Sequence, residues 1–273
     1  MSTFRVALSL AHREFTRFMR QPHRVVGTVA QPLLFWLFMG AGFSGSFKPP
    51  GMGQISYLEY FYPGIMLMMM LFASIFSSIT IIEDRDAGFL QGVLVAPVSR
   101  MAIVLGKVLG GTAIAMVQTV IFTIAAPFLG LHLGLASLVP LVAAFILTGV
   151  GFSALGFLLA WGMRSTAGFH AVMMVFLMPL WMLSGALFPV TGVPWWLQAV
   201  MMINPVHHAL NVIRAPFYAG PQTLLADGHY LLSLAVTVGW AVLCLVVSML
   251  RVGKREKGVT PIPVGTAAMQ PAE

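Results

Sequence analysis

Six long apolar stretches, separated by polar connections, are the feature that most limits what this chain can fold into. A helix needs about 20 apolar residues to cross a bilayer. Stretches of this kind cover residues 25–44, 61–82, 102–128, 138–162, 169–189 and 231–250. Because lipid offers the backbone no hydrogen-bond partners, these segments are predicted to be helices. The predicted fold class is an all-α integral membrane protein with six transmembrane helices.

Composition excludes a soluble enzyme. Only 8% of the 273 residues are charged and 59% are hydrophobic, whereas about 25% of an ordinary soluble domain is charged. A disordered chain is excluded for the same reason, and the single cysteine excludes an intrachain disulfide framework. The residues 1–250 are therefore interpreted as one membrane domain, and 251–273 as a basic, disordered tail that is cytoplasmic.

Lysine and arginine positions predict the orientation. With the first residue inside, thirteen basic residues fall on the inner side and two, Lys48 and Arg214, on the outer side. Both termini are therefore expected in the cytoplasm, with the protein in the cell (inner) membrane. The net charge of +7 is explained by this bias, so no nucleic-acid partner is expected.

Residues 2–24 predict an amphipathic helix at the inner membrane interface. At 100° per residue, one face carries apolar side chains and the opposite face carries arginines. The apolar face comprises Phe4, Leu8, Ala11, Phe15 and Phe18, and the basic face Arg13, Arg17, Arg20 and Arg24. The arginines are expected to face anionic headgroups. The helix serves as a topology anchor, as a contact for a cytosolic partner, or as both.

The inner connection 83–100 predicts a short helix between charges. Gly88 to Pro97 is apolar but too short to span, and three carboxylates precede it at the end of the second stretch. Three interpretations are open for this connection: a solvated helix end, a divalent-cation site without apparent supporting ligands, or a docking contact with another protein. A brief amphipathic helix on the inner surface suits docking in a protein groove.

The sequence offers no pattern of catalytic, cofactor-binding or metal-binding residues. Adjacent histidines at 207 and 208 project to different helix faces, and the methionine clusters suit packing. Gly106-Lys107 is followed by Val108 and lacks the glycine of a nucleotide-binding loop. The chain is thus not expected to be an enzyme, and any ATP must be bound by another chain.

Several segments together resemble the type-2 class of ABC transporter permeases, which export drugs, lipids and polysaccharides. They are Gln31 to Leu34 in the first stretch, Glu83 to Gln91, Ala96 to Arg100, Leu105 to Lys107, Ser184 to Pro189, Val193 to Gln198, and Asn204 to His208 with Arg214. The pattern covers nearly the whole chain, although Phe89 and Gln91 stand where the family usually has Thr and Glu.

The resemblance implies a half-transporter that pairs with a second permease subunit and two cytosolic ABC ATPase subunits, which bind ATP and Mg²⁺. It also implies a coupling helix between the second and third spans, and short outer re-entrant helices at about 190–220, where Pro189, Pro194, Pro205 and Pro216 break the chain. The implied coupling residues are Glu83, Asp84, Arg85, Asp86, Gly88, Leu90, Pro97 and Arg100.

The expected mechanism is ATP-driven closure of the partner subunits, which pushes on 83–100 and on the amphipathic N-terminal helix. Helices one, two and five, at a two-fold interface between permeases, then open a path outward. The predicted lining residues are Phe35, Trp36, Phe72, Phe76, Met173, Phe176 and Trp181. This lining favours an amphipathic or apolar substrate, such as a drug, lipid or lipid-linked glycan. The alternatives are a membrane anchor or assembly subunit without transport, and an ion-coupled carrier, which would need charges within the spans.

Overall fold

The computed structural model describes residues 2–43, 45, 55–95, 98–124, 126–129, 131 and 133–253. This part of the chain is helical, with no strand in it. The helices are α1 (Thr3–Met19), α2 (Pro22–Phe43), α3 (Tyr57–Ser77), α4 (Ile79–Asp86), α5 (Phe89–Val95), α6 (Arg100–Thr123), α7 (Leu135–Gly162), α8 (Thr166–Trp181), α9 (Trp195–Ile203), α10 (Pro205–Tyr218), α11 (Pro221–Ala226) and α12 (Gly228–Gly253).

Within the described residues, six helices are long and apolar enough to cross a membrane, which confirms the predicted fold class. They are Val25–Phe43, Tyr57–Asp86, Arg100–Phe128, Leu135–Gly162, Thr166–Ala186 and Gly228–Gly253. The second span is longer than predicted at both ends. Ser56 caps its start by accepting a hydrogen bond from the backbone NH of Glu59, and α4 carries the helical path on to Asp86.

The second span is the centre of the bundle. In α3 nearly every residue from Tyr57 to Ile75 is buried, and the helix packs against α2, α6 and α7. Close approach to α7 requires a glycine, because a Cβ on Gly156 would lie 2.9 Å from the Cα of Ile75. By contrast, α2 and α8 are peripheral and expose large apolar side chains, among them Phe38 and Phe176.

The N-terminal helix and the first span are separate helices. The prediction placed one helix over 2–24, but α1 ends at Met19 and α2 begins at Pro22. A proline disfavours helical backbone at the preceding residue, so the chain breaks at Arg20–Gln21. α1 then lies against α6, with which it makes the most extensive helix contact in the described chain. Of the predicted tail, 251–273, the first three residues belong to α12, and those from 254 onward lie outside the described residues.

The segment after α8 is folded onto the ends of the spans. A π-helical turn, Met182–Ala186, follows α8 and ends the helix where Gly185 takes a φ of +92°. Tyr60 Oη and Arg214 Nη2 both donate to the Gly185 carbonyl, at 2.8 and 3.0 Å. Asn204 caps α10 through the backbone NH of Val206. These bonds fasten α10 to α3 and to the end of α8.

Two of the predicted proline breaks lie at the start of a helix, whereas a third predicted break is absent. Pro194 precedes α9, and Pro205 is the first residue of α10. The expectation that Pro216 also breaks the chain is wrong, because α10 continues through it to Tyr218. In the last turn of a helix a proline removes one hydrogen bond without interrupting the turns that follow, since few remain.

Candidate functional site

The N-terminal helix lies directly on two glycines of the third span. A Cβ on Gly106 would lie 3.0 Å from the Ala7 carbonyl oxygen, and one on Gly110 would lie 2.8 Å from Glu14 Cβ. Glycines four residues apart form one smooth stripe on a helix, so the backbone of α1 approaches closely. This contact places Glu14 beside Lys107, which lies next to Gly106 on α6.

A buried ionic cluster joins three helices at this contact. Lys107 Nζ lies 2.7 Å from Glu14 Oε1 on α1, 2.5 Å from Asp84 Oδ2 on α4, and 3.1 Å from Thr80 Oγ1. The side chains of Lys107, Glu14 and Asp84 are each at most 5% exposed. Charges this far from water are stable only when paired and hydrogen-bonded, so the three positions depend on one another.

Two arginines of α1 cover the open side of the cluster. Arg13 binds Asp84 with both terminal nitrogens, at 3.0 and 3.2 Å, and the hydrogen bonds to Asp84 raise the pKa of the guanidinium despite its partial burial. Arg17 bridges Asp84 and Glu83, at 3.1 and 2.6 Å. The prediction that these arginines face lipid headgroups is therefore wrong for Arg13 and Arg17, because carboxylates of α4 bind both guanidinium groups.

Glu14 was missed by the sequence analysis, and Lys107 was noted only as a motif residue and a basic position. A signal for Glu14 exists in the pattern of α1. Its buried residues are Ala7, Ala11, Glu14 and Phe18, at spacings of four, three and four, which is the spacing of a helix face packed on another helix. A single acid on that face of a basic helix indicates a buried cation opposite.

Two further arginines bind the carboxyl ends of distant helices. Arg85 donates to the carbonyl oxygens of Met163 and Trp161, at 2.7 and 2.8 Å, at the tight turn between α7 and α8. Arg100 donates to the Val252 carbonyl oxygen at 3.0 Å, at the end of α12. A cation is favourable at a helix carboxyl end, where the last carbonyls lack partners. The α4–α6 segment is thus attached to α1, α7 and α12.

The short helix α5 projects from this anchored base. Gly88 joins α4 to α5 with a φ of +73°, and Leu90 points inward at 4% exposure. Arg13 stacks over the Phe89 ring, with 3.8 Å from Cζ to the centroid. The exposed residues of the junction and of α5 include Asp86, Gln91 and Val95. Pro97, predicted to belong to this site, lies outside the described residues.

The predicted pathway residues occupy different environments. Phe72 and Phe76 line a cavity of about 70 Å³, and Phe35 lines a neighbouring groove of about 520 Å³. Trp36, Met173 and Trp181 are buried in the core, with the indole NH of Trp181 donating to the Gly64 carbonyl. Phe176 is exposed on α8. Their assignment as lining residues stays a prediction.

The side chains of the ionic cluster connect helices to one another. Within the described residues, no three His, Cys, Asp or Glu side chains converge as a metal ion would require. The buried ion pairs connect α1, α4 and α6 through charge-assisted bonds, which are short and directional. The helix α5 is thus continuous through Gly88 with the end of the second span, which ion pairs join to α1 and to the third span.

Comparison with known proteins gives one consistent picture. The ABC-2 type transporter family model matches residues 6–218. A putative transport permease, ycf38, of Cyanophora paradoxa is 29% identical over 87% of this chain and 83% of its own length. The daunorubicin resistance ABC transporter permease protein DrrB1 of Streptomyces coeruleorubidus is 26% identical over 77% of this chain and 74% of its own. The probable doxorubicin resistance permease DrrC of Mycobacterium tuberculosis is 23% identical, over 86% and 83%.

Proposed function

This chain belongs to the ABC-2 type transporter family, and we propose that it is the transmembrane permease subunit of an ATP-binding cassette exporter. In this proposal a separate cytosolic subunit binds ATP and Mg²⁺ and hydrolyses the nucleotide. The permease receives the resulting movement and opens a path for an amphipathic or apolar substrate. A second permease subunit, identical or related, completes the transporter.

The observation that carries this proposal is the exposed helix α5 on an ion-paired base. α5 offers Phe89, Gln91 and Val95 to a partner, while the α4 carboxylates behind it are locked to α1 and α6. A docking element needs an accessible face for its partner and a stiff connection to the moving helices. Glu83 and Asp84 supply the connection in this proposal, and Asp86, Gly88 and α5 supply the contact.

The end of the bundle that carries this site is proposed to face the cytoplasm of the cell. From sequence position, thirteen basic residues are predicted on that side of the membrane and two on the other, and basic residues accumulate on the cytoplasmic side of membrane proteins. Both chain termini then lie in the cytoplasm. An ATPase in that compartment can reach α5 directly.

The proposed path runs along the peripheral helices α2 and α8. Their outward faces are apolar and largely exposed in the single chain, as a surface for lipid or a second permease would be. Phe35, Phe72 and Phe76 line the two cavities beside these helices. Aromatic and methionine side chains suit apolar rings and chains, which agrees with the drug-resistance names of two relatives.

A membrane anchor without transport is the competing function. An anchor needs no exposed docking helix and no stiff link behind it. Substituting Gly88 and Asp86 in the reconstituted complex separates the two, because a permease is expected to lose stimulation of its partner ATPase. Unchanged stimulation favours the anchor.

A crosslinking experiment tests the contact itself. Val95 is 87% exposed on α5, and Val139 is 74% exposed near the start of α7, at the opposite end of the bundle. Val95→Cys and the control Val139→Cys are made in a Cys244→Ser background and co-expressed with the partner ABC ATPase of this proposal. We expect a thiol-to-amine crosslinker to join the ATPase to the first variant and not to the second.

Transport is measured in inverted membrane vesicles with daunorubicin as the first probe. ATP-dependent uptake is expected, and it should disappear when the nucleotide-binding lysine of the ATPase is replaced. Transport that continues without a nucleotide-hydrolysing partner, or crosslinking through Val139→Cys alone, would refute the proposal.

A further inference from the structure

The third span carries a buried polar side chain that makes no hydrogen bond within the described chain. Gln118 is 2% exposed, yet neither its Nε2 nor its Oε1 has a hydrogen-bond partner among the described residues. The next residue, Thr119, is also buried, and its hydroxyl donates to the Ala115 carbonyl at 2.9 Å. A buried amide without partners lowers stability, because it has given up its hydrogen bonds to water. Packing alone therefore does not explain a glutamine at this position.

Gln118 faces a cavity between four helices. The cavity has a volume of about 70 Å³ and is otherwise lined mainly by apolar side chains of α2, α3 and α8. Those lining residues include Pro32, Met68, Met69, Phe72, Phe76 and Met174. At 1.5 Å per residue, Gln118 lies about 16 Å along α6 from Lys107, well inside the span. The Gln118 amide is thus a polar group deep within the span that faces a mainly apolar cavity.

A larger apolar groove lies beside this cavity. It has a volume of about 520 Å³ and includes Leu34, Phe35, Phe38 and Met178 in its lining. Gln31 and Met68 line both spaces, so the groove and the cavity adjoin. A molecule whose apolar part occupied the groove would direct a small polar end toward Gln118. Gln31, part of the motif in the first span, stands at the boundary between the two.

We propose that Gln118 and this cavity form a subsite that binds the uncharged hydrogen-bonding group of an amphipathic molecule, while the adjoining groove binds its apolar part. A glutamine amide offers two donors and an acceptor, so it accommodates a hydroxyl, carbonyl or amide group. No charged side chain lines either space in the described chain, so the group bound at this subsite finds hydrogen-bond partners but no counter-ion. The inference rests on the proposed export function and specifies its substrate class.

The test uses two probes that differ in one hydroxyl group, 1-pyrenebutanol and 1-butylpyrene. Each is titrated into the full chain in phosphatidylcholine nanodiscs, and binding is read as energy transfer from tryptophan after subtraction of empty nanodiscs. Gln118→Met keeps the length of the side chain and removes its polar atoms. We expect about tenfold weaker binding of 1-pyrenebutanol, the loss of about one hydrogen bond, and unchanged binding of 1-butylpyrene.

Thr119→Val is the matched control, because it removes a buried hydroxyl from the same turn outside the cavity. It should leave both affinities unchanged. Gln118→Met is expected to be at least as thermally stable as the parent chain, since an unpartnered amide has been removed; Gln118→Leu provides the same comparison if the methionine variant does not fold.

Equal affinity of the parent chain and Gln118→Met for 1-pyrenebutanol, or no binding of it by the parent, would overturn the proposal. Gln118 would then bind a buried water only. The two proposals fail separately. Hydroxyl-selective binding without ATP-driven transport refutes the export function, whereas transport with no effect of Gln118→Met on binding refutes the subsite.

Discussion

Lys107 of the third span and Asp84 of the second are joined by a 2.5 Å contact between Nζ and Oδ2, with both side chains at most 5% exposed. The same ammonium group also binds Glu14 of the N-terminal helix. Since one ammonium group pairs with carboxylates from two other helices, the base of the proposed docking site is a single ionic unit.

Lys107→Met is therefore expected to lower the free energy of unfolding by about 3 kcal/mol, because it leaves two buried carboxylates short of a partner. Unfolding in mixed micelles at increasing SDS measures this change. Arg164→Met, an exposed cation near the same end, is the control and should change stability by less than about 0.5 kcal/mol. Similar losses for the two variants would contradict the structure.

The stacking of Arg13 on Phe89 couples α1 to α5. In a double-mutant cycle of Arg13→Met and Phe89→Leu, the coupling energy is expected to be about 0.5–1 kcal/mol, as for a partly exposed cation–π contact. The free energies of unfolding of the parent and variant chains give the coupling energy. Stimulation of the partner ATPase shows its consequence for function. Strictly additive effects would show that the two side chains do not interact.

Gly88 is required for its backbone conformation and not for space. Its φ is +73°, and a Cβ there would meet no atom within 4 Å. Gly88→Ala should cost about 1–2 kcal/mol locally and reduce ATPase stimulation, while Gly88→Asn should retain more of it, because asparagine tolerates this region. Gly92→Ala, with equal space and helical backbone on α5, is the control; a comparable loss there would rule out the backbone explanation.

Gly106 is required for space. A Cβ added to Gly106 would lie 2.6 Å from Leu10 Cβ and 3.0 Å from a backbone oxygen of α1, so α1 must move away. We expect Gly106→Ala to lower stability by about 1–3 kcal/mol. Gly239→Ala on α12, where a Cβ meets nothing within 4 Å, should not be destabilising. The comparison is read from thermal unfolding in nanodiscs.

His207 should make stability depend on pH. Its Nδ1 contacts the Ser184 carbonyl at 2.7 Å and its Nε2 contacts the Asn211 amide at 3.0 Å, so the neutral ring fits with Nδ1 protonated. Burial is the main cause of a pKa of His207 below the ordinary value; the hydrogen bond to the Ser184 carbonyl opposes it, and the nearby Arg214 charge acts with burial. The folded state therefore binds fewer protons than the unfolded state.

Because the pKa is lower in the folded state, the contribution of His207 is complete above the unfolded value of about 6.5 and is lost as the pH falls below it. We expect the unfolding temperature to decline between pH 7 and pH 5 more steeply in the parent chain than in His207→Gln. His229→Gln, at an exposed histidine, should behave like the parent. Parallel curves for parent and His207→Gln would contradict this role.

Much of the architecture follows from local sequence. The apolar stretches 138–162 and 169–189 correspond to α7, which ends at Gly162, and to α8, which begins at Thr166. The helix breaks predicted from prolines are present where a proline starts a helix, as at Pro205. The break predicted at Pro216 is absent, because a proline in the last turn has few helical hydrogen bonds left to interrupt. The assignments of the coupling and pathway residues remain predictions.

Apolar length and the distribution of charge were sufficient to predict six helices and an N-terminal helix, because the bilayer acts on each segment separately. They did not predict that Arg13 and Arg17 turn toward α4, that Glu14 contacts Lys107, or that Gln118 lacks a hydrogen-bond partner among the residues the structure describes. Each of these depends on which residues from distant parts of the chain become neighbours. In a low-dielectric interior the energy of a charge or an amide is set by those neighbours, so only the tertiary structure determines it.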